Sequence, residues 1–346
     1  MRAICVDPRT DPRWQRLVDR RPSSAFQSPA WTRVLAETYE LDVRAIVLLD
    51  ECGQPRAGIP FCRISDVFGE RIVSLPFSDY CGPVLGDADD WAGLAAGLLA
   101  ERCLVSIRCR HGLPVADERF ALVKQARWHG ADLRPDLGSL WNGLHDSSRR
   151  AVQKAQRHGV VVRIARGTDE LRAFHAMHLQ VRKYKYRLLA QPYAFFESIW
   201  RHFVEERRGA LLLAIHEDRI ISGVMLLEWQ DVLYYKFNAS LAATLDCRPN
   251  DLLMWETIKY GRERGCARLD LGLSDWDQEG LIRYKRKFAS EEGVISSLQY
   301  SPDSEQLRRQ GEMRSMFGRL TDAFTDASVP DEVSRTAGEL LYRFLA

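Results

Sequence analysis

The feature that most limits the fold is a run of three strand-like segments, 210–216, 219–229 and 232–239, with only two residues between neighbours. Links that short permit antiparallel hairpins and little else. The grammar then changes. Pro249 opens a helix to about residue 265, 268–271 is a short buried strand, 278–288 is helical, and 293–300 is a last strand. A helix set between strands is a crossover, so hairpins and crossovers together demand a mixed sheet covered by helices.

The first half follows the same order. Ser28 caps a helix that has Pro29 at its first position and runs to about residue 39. Strands 43–49 and 56–64 join through Glu51-Cys52-Gly53-Gln54, and a third, 71–75, stops at Pro76. A helix over 91–102 leads to β-like 103–109, and 121–128 is another strand. The second half opens with a basic helix, 147–158, closed by Gly159, and a strand, 160–164. Thr168 then caps a helix to about 186, and Pro192 opens one to about 207. This repetition divides the chain into an N-terminal domain, 1–145, and a C-terminal domain, 146–302. The tail, 303–346, reads as two helices split at Ser328-Val329-Pro330 that pack back on the body.

Lys and Arg number 49 against 47 Asp and Glu, a net charge of +2, which argues against a nucleic-acid coat or a polybasic membrane binder. The eight cysteines show no C-x-x-C spacing, so buried free thiols are expected rather than zinc. Apolar runs are strand-sized and no transmembrane segment is expected. The opening MRAICVDPRTDPRW lacks an apolar leader core, with Pro8 and Pro12 breaking it, so a cytoplasmic location is expected.

Chemistry concentrates in a few places. In 270–288 an apolar strand stops at Gly272, an acidic loop carries Asp275, Asp277 and Glu279, and a basic helix holds Tyr284 and Lys285. Loops at strand ends are where α/β proteins place their sites; the plain alternative is a solvated turn with surface ion pairs. In Leu233–Ser240, period-2 alternation puts Tyr234, Lys236 and Asn238 on one face and Tyr235 and Phe237 on the other. Asn250 and Asp251 open the helix after Pro249, where free N–H groups suit an anion. Residues 147–187 hold eleven Lys and Arg, among them Arg149, Arg150 and Lys154, against Asp169 and Glu170. That density would draw a phosphate-bearing ligand, or else it is a solvated face. His175 and His178 share a helix face without a third ligand, which suits packing better than metal. The Walker, G-x-S-x-G, G-x-G-x-x-G and H-E-x-x-H patterns are absent.

The second half resembles the FemABX group, GNAT-fold enzymes related to peptidoglycan interpeptide-bridge formation. The matching stretches are Ser148-Arg149-Arg150-Ala-Val-Gln-Lys154-Ala155, Tyr234-Tyr235-Lys236-Phe-Asn-Ala-Ser240, Arg248-Pro-Asn-Asp-Leu-Leu-Met-Trp255-Glu256, and Leu269-Asp-Leu-Gly272 with Gly280-Leu-Ile-Arg-Tyr284-Lys285. Phe26-Gln-Ser-Pro-Ala-Trp31 and Leu75-Pro-Phe-Ser-Asp-Tyr-Cys-Gly82-Pro83 extend the likeness into the first half. The resemblance implies an α/β (α+β) chain of two tandem GNAT-like domains, each a mixed, mostly antiparallel sheet flanked by helices, with a cleft between them. It implies transfer of an aminoacyl or acyl group to an amine acceptor in cell-envelope, peptidoglycan or polysaccharide metabolism. The donor would be aminoacyl-tRNA or acyl-CoA, making tRNA a potential partner, with no bound cofactor and no metal. Lys285 falls on the family lysine held to stabilise the oxyanion, with Tyr284 as its aromatic neighbour. Asp275 is then the nearby carboxylate expected to handle the proton or position the amine. Tyr235 and Asn250 would line the donor channel, Lys236 and Tyr284 would bind substrate, and Arg149, Arg150 and Lys154 would guide a phosphate-bearing ligand. Two features depart from the group: Gln191 precedes Pro192 where some members have Arg, and 246–252 lacks the glycines of a CoA-binding loop. The rival expectation is a non-catalytic tandem GNAT module that binds nucleotide sugar or RNA.

Overall fold

The computed structural model describes residues 2–67, 69–110, 112–113 and 116–345. It divides into two compact units that are not contiguous in sequence. The first comprises Met1–Arg127, Gly293–Arg319 and Arg343–Ala346, and the second Trp128–Glu292 and Leu320–Tyr342. The chain thus changes unit inside a strand at 127/128 rather than in the loop near 145. It returns at 293, because the last strand hydrogen-bonds to the first unit.

In the first unit, β1 (Arg2–Val6), β2 (Asp42–Leu49), β3 (Pro55–Asp66) and β4 (Gly69–Val73) form an antiparallel meander. β5 (Leu104–Arg110) joins β4 in parallel through the crossover helix α3 (Asp90–Leu99), and the last strand, β12 (Glu291–Tyr300), pairs antiparallel with β5. The apolar side of α3 closes over Ile46, Ile59, Ile72 and Val105. Ser28 caps α2 (Pro29–Tyr39) as expected, its Oγ accepting from the Trp31 N–H at 3.1 Å. β1 and α1 (Pro12–Arg20) escaped the sequence reading. Pro12 does not break the chain there. It occupies the first turn of α1, where its missing N–H costs nothing, and Asp11 caps the helix by accepting from Arg13 N–H.

In the second unit β6 (Ala121–Asp132) leads into α4 (Leu137–Gly143), α5 (Asp146–Arg157), β7 (Val161–Ile164), α6 (Thr168–Gln180) and α7 (Tyr193–Ile199). Then come β8 (Gly209–His216), β9 (Arg219–Trp229), β10 (Val232–Ser240), α8 (Pro249–Glu263), β11 (Arg268–Ser274) and α9 (Glu279–Arg286). β7 to β10 are antiparallel neighbours, and β11 is parallel to β10. The β8–β9 hairpin turns through Glu217 and Asp218, both at positive φ (48° and 59°), as a two-residue turn matched to strand twist requires. α6 and α7 each continue into a wider π-helical turn, Val181–Lys185 and Trp200–Val204, so the long helices expected there are not uniform. α8 and α5 cover one sheet face with Val152, Leu226, Leu253, Ile258 and Leu271 in the core. α6 and α7 cover the other, where Phe174, Phe195 and Phe196 meet.

The tail forms α10 (Ser304–Phe324) and α11 (Asp331–Leu341). The buried Lys183 holds the link between them: its Nζ donates to Val329 O (2.5 Å) and Asp331 Oδ1 (2.7 Å), and Tyr184 Oη donates to the same carboxylate oxygen (2.6 Å). All eight cysteines are free thiols; Cys62, Cys81, Cys103, Cys109 and Cys266 are buried, whereas Cys5 and Cys52 are exposed, contrary to expectation.

Candidate active site

A bulge in β10 sets the geometry. The register steps from Tyr235 opposite Leu226 to Phe237 opposite Met225, so Lys236 is the extra residue. Strict alternation would have put Tyr235 and Phe237 on one face; the bulge sends them to opposite faces. Phe237 joins Phe195, Phe196 and His178 under α6 and α7. Tyr235 turns instead to the α8 side and packs against its core. Lys236 places its ammonium 5.3 Å from the Phe237 ring centroid.

Asn250, in the first turn of α8, fastens that helix to the strands. Its Oδ1 accepts from Ser222 Oγ (2.8 Å) and Asn238 Nδ2 (3.3 Å), while its Nδ2 donates to Ser240 Oγ (3.2 Å). The next residue, Asp251, is a buried carboxylate at 8% exposure. Burial raises its pKa above the ordinary Asp value, against the opposing pull of Lys287 and Arg248. Tyr284 Oη donates to Asn250 O (2.9 Å), roofing the same turn. Burial, followed by the neighbouring Tyr235 and Asp251, pushes the Tyr284 phenol well up; Tyr235 is raised by burial and by Asp251.

Beside this turn β11 ends on an irregular stretch. Gly272 adopts φ 69°, a left-handed backbone that side chains other than glycine rarely take. Asp270 accepts its N–H at 2.7 Å. Successive carbonyls of an extended strand point to opposite edges. Here Gly272 O and Leu273 O instead meet the same donor, Lys285 Nζ, at 3.2 and 2.8 Å. Lys285 is 7% exposed, so α9 holds a buried ammonium against the end of the strand. Desolvating such a charge costs several kcal/mol, which hydrogen bonds to the two carbonyls offset in part.

The structure therefore gathers Tyr235, Asn250, Tyr284 and Lys285 about the first turn of α8 and the end of β11. Asp275 lies half-buried in the β11–α9 turn, its backbone N–H donating to Gln278 Oε1. The α5 cations sit on a helix packed against α8. Arg149 donates to Asn142 O (2.7 Å) and pairs with Asp146; Arg150 is exposed and Lys154 half-buried. Much of the basic run is not a free field: Arg163 pairs with Glu170, Lys183 with Asp331 and Arg187 with Asp326. The residue that sequence reasoning passed over as a candidate acid or base is Asp251. An acid in a helix's first turn is commonplace because the dipole favours it, and nothing in the local sequence marks this one as buried.

His175 and His178 pack in the α6–α7 layer, as expected. Their Nε2 atoms meet Gln191 O (3.0 Å) and Gln191 Oε1 (2.7 Å), and burial lowers both pKa values, His178 to about 3. Among the described residues no group of three or more His, Cys, Asp or Glu side chains could hold a metal ion. Among the described residues no helix is long and apolar enough to cross a membrane.

Residues 145–286, the segment that carries this site, match the family described as an acetyltransferase (GNAT) domain. The crystal structure of FemX superposes with a TM-score of 0.66 at 14% identity, over 87% of this chain and 97% of that one. L-PGS from Bacillus licheniformis gives 0.55 at 12% identity, over 90% and 98%. A tandem GNAT protein from the clavulanic acid biosynthesis pathway gives 0.52 at 12% identity, over 87% and 99%. No curated protein matches the sequence. Residues 145–286 thus match a GNAT domain, and the chain shares its fold with FemX and with a tandem GNAT protein.

Proposed function

We propose that this protein is an N-acyltransferase that moves an acyl or aminoacyl group from an activated donor to an amine, with its chemistry at the β11–α9 junction. The amine nitrogen attacks the donor carbonyl carbon, and a tetrahedral oxyanion forms. The bond to the leaving oxygen of an aminoacyl-tRNA ester, or to the sulfur of an acyl-CoA thioester, then breaks. The products are an amide and a leaving group that takes up one proton; the amine has lost one. Lys285 supplies the fixed positive charge beside the oxyanion, a kind of contribution that is among the largest in catalysis. The observation that carries this assignment is the burial of its ammonium against Gly272 O and Leu273 O. Tyr235, Tyr284 and Asn250 shape the donor side, and Arg149, Arg150 and Lys154 attract its phosphates or those of the acceptor. FemX and L-PGS as structural neighbours favour an aminoacyl donor and a cell-envelope acceptor.

Two carboxylates can take the amine's proton, Asp251 and Asp275. Asp251 is the better base, since burial brings its pKa nearer to working pH. Asp251→Asn is expected to cut kcat/KM by roughly 10²-fold or more and to abolish the acid limb of its pH profile. The same change should stabilise the fold at neutral pH. A carboxylate with a raised folded pKa contributes most below its unfolded pKa and loses that contribution as pH rises through the folded one. Lower stability with unchanged activity would make Asp251 structural.

Incubating the protein with labelled acetyl-CoA, longer acyl-CoAs and charged tRNAs, each with a panel of amines, tests the reading. Label recovered in amide linkage supports it and names the donor. Donor binding without transfer to any amine would favour a silent binding module.

A further inference from the structure

The place where Lys285 meets β11 is prepared two residues before its carbonyl partners begin. Along β11, Leu269 and Leu271 belong to the core shared with α8 and α5, and Asp270 falls between them at 2% exposure. The parallel ladder to β10 sets Val232 opposite Arg268, Leu233 opposite Leu269 and, as its last pair, Tyr234 opposite Asp270. Asp270 therefore stands where the strand leaves that ladder. A carboxylate inside an apolar strand costs free energy unless hydrogen bonds answer it. One such bond comes from the strand's own end: Asp270 Oδ1 accepts from the Gly272 N–H at 2.7 Å.

That bond has a conformational consequence. An aspartate that accepts from the backbone two residues on closes an Asx turn, which competes with extended ladder geometry. Here the turn encloses Leu271 and delivers Gly272 at φ 69°, which glycine adopts without a steric penalty. The left-handed step brings Gly272 O and Leu273 O, which extended backbone would direct to opposite edges, onto one donor. Both accept from Lys285 Nζ, at 3.2 and 2.8 Å. At 7% exposure the ammonium takes its position from these acceptors rather than from water. Were the turn to open, the carbonyls would rotate apart and the long lysine side chain would have other rotamers to enter.

We propose that Asp270 is a positioning residue of the transfer site: by closing the turn on Gly272 it aims the two carbonyls that fix the Lys285 ammonium. The inference rests on the oxyanion role given to Lys285 above. Asp270 makes and breaks no bond in the reaction and reaches the reacting atoms only through Gly272 and Lys285. Its working group is the acceptor oxygen, which Asn also supplies and Ala does not.

The test compares Asp270→Ala, Asp270→Asn and Gly272→Ala in the full chain, by steady-state kinetics and by NMR of the lysine Cε groups without ligand. The Lys285 signal is identified as the one missing from Lys285→Met. Asp270→Ala should lower kcat about 10-fold or more, leave KM within about 3-fold, and move the Lys285 signal toward those of exposed lysines. Asp270→Asn should recover turnover to within about 3-fold of wild type and return the signal to its place. Gly272→Ala strains the same turn with Asp270 present and should reproduce the shift, so the signal decides even if Asp270→Ala fails to fold. Three results would overturn the proposal: an unmoved Lys285 signal in either alanine variant, equal loss of kcat in Asp270→Asn and Asp270→Ala, or a raised KM at unchanged kcat. Full turnover in Lys285→Met would instead defeat the oxyanion reading, and the ligand-free signals would still judge Asp270.

Discussion

Replacing Lys285 with Met is expected to lower turnover by roughly 10²–10³-fold with the fold intact, because one fixed donor to an oxyanion contributes about that much. The stability side nearly cancels. Gly272 O and Leu273 O lose their ammonium partner, a cost of about 1–3 kcal/mol. The fold in return no longer desolvates a charge, and Met fills similar space. Steady-state kcat alongside a circular-dichroism melt separates the outcomes. Retained turnover would remove Lys285 from the chemistry, and an unfolded variant would make it a pin for the Gly272 turn.

Lys183→Met should release the tail. Lys183 is buried, but the Asp331 side chain is 62% exposed, so solvent screens that end of the pair. Losing both charge-assisted bonds should still cost about 2 kcal/mol, concentrated in one place. Hydrogen exchange should quicken across 331–341 while β8–β10 keep their protection. Acid should have the same local effect in the wild type. The bonds from Lys183 and then Tyr184 hold the Asp331 pKa below its ordinary value. The tail contact is therefore complete above the unfolded Asp pKa and is lost as pH falls through the lowered one. Uniform loosening of the whole second unit would contradict this.

Periodicity and turn chemistry were enough to place most strands and helices, because the signals involved are local. Glu217-Asp218 has to be a tight turn, Pro249 has to open a helix, and Gly159 has to close one. What local pattern could not show is where a ladder skips a residue. The bulge at Lys236 reverses the facing of Phe237 without altering its neighbours in sequence, and so assigns Tyr235 alone to the site. Long-range partners were hidden too. Lys183 and Arg187 read as part of a basic field until the acids that meet them, Asp331 and Asp326, arrive from the tail. Nothing local marks Asp251 as buried, because the phenols beside it, Tyr235 and Tyr284, lie 16 and 33 positions away in the chain. Lys285 was legible through resemblance, whereas its two carbonyl partners depend on the left-handed Gly272.

The central claim is that the Lys285 ammonium meets an anionic tetrahedral centre. Once the donor is known, its phosphonate analogue, which carries that geometry and charge, can be titrated into wild type and Lys285→Met side by side. The analogue should bind wild type at least ~100-fold tighter than the planar donor and lose most of that advantage in the variant. Equal binding of the analogue by both proteins would contradict the assignment.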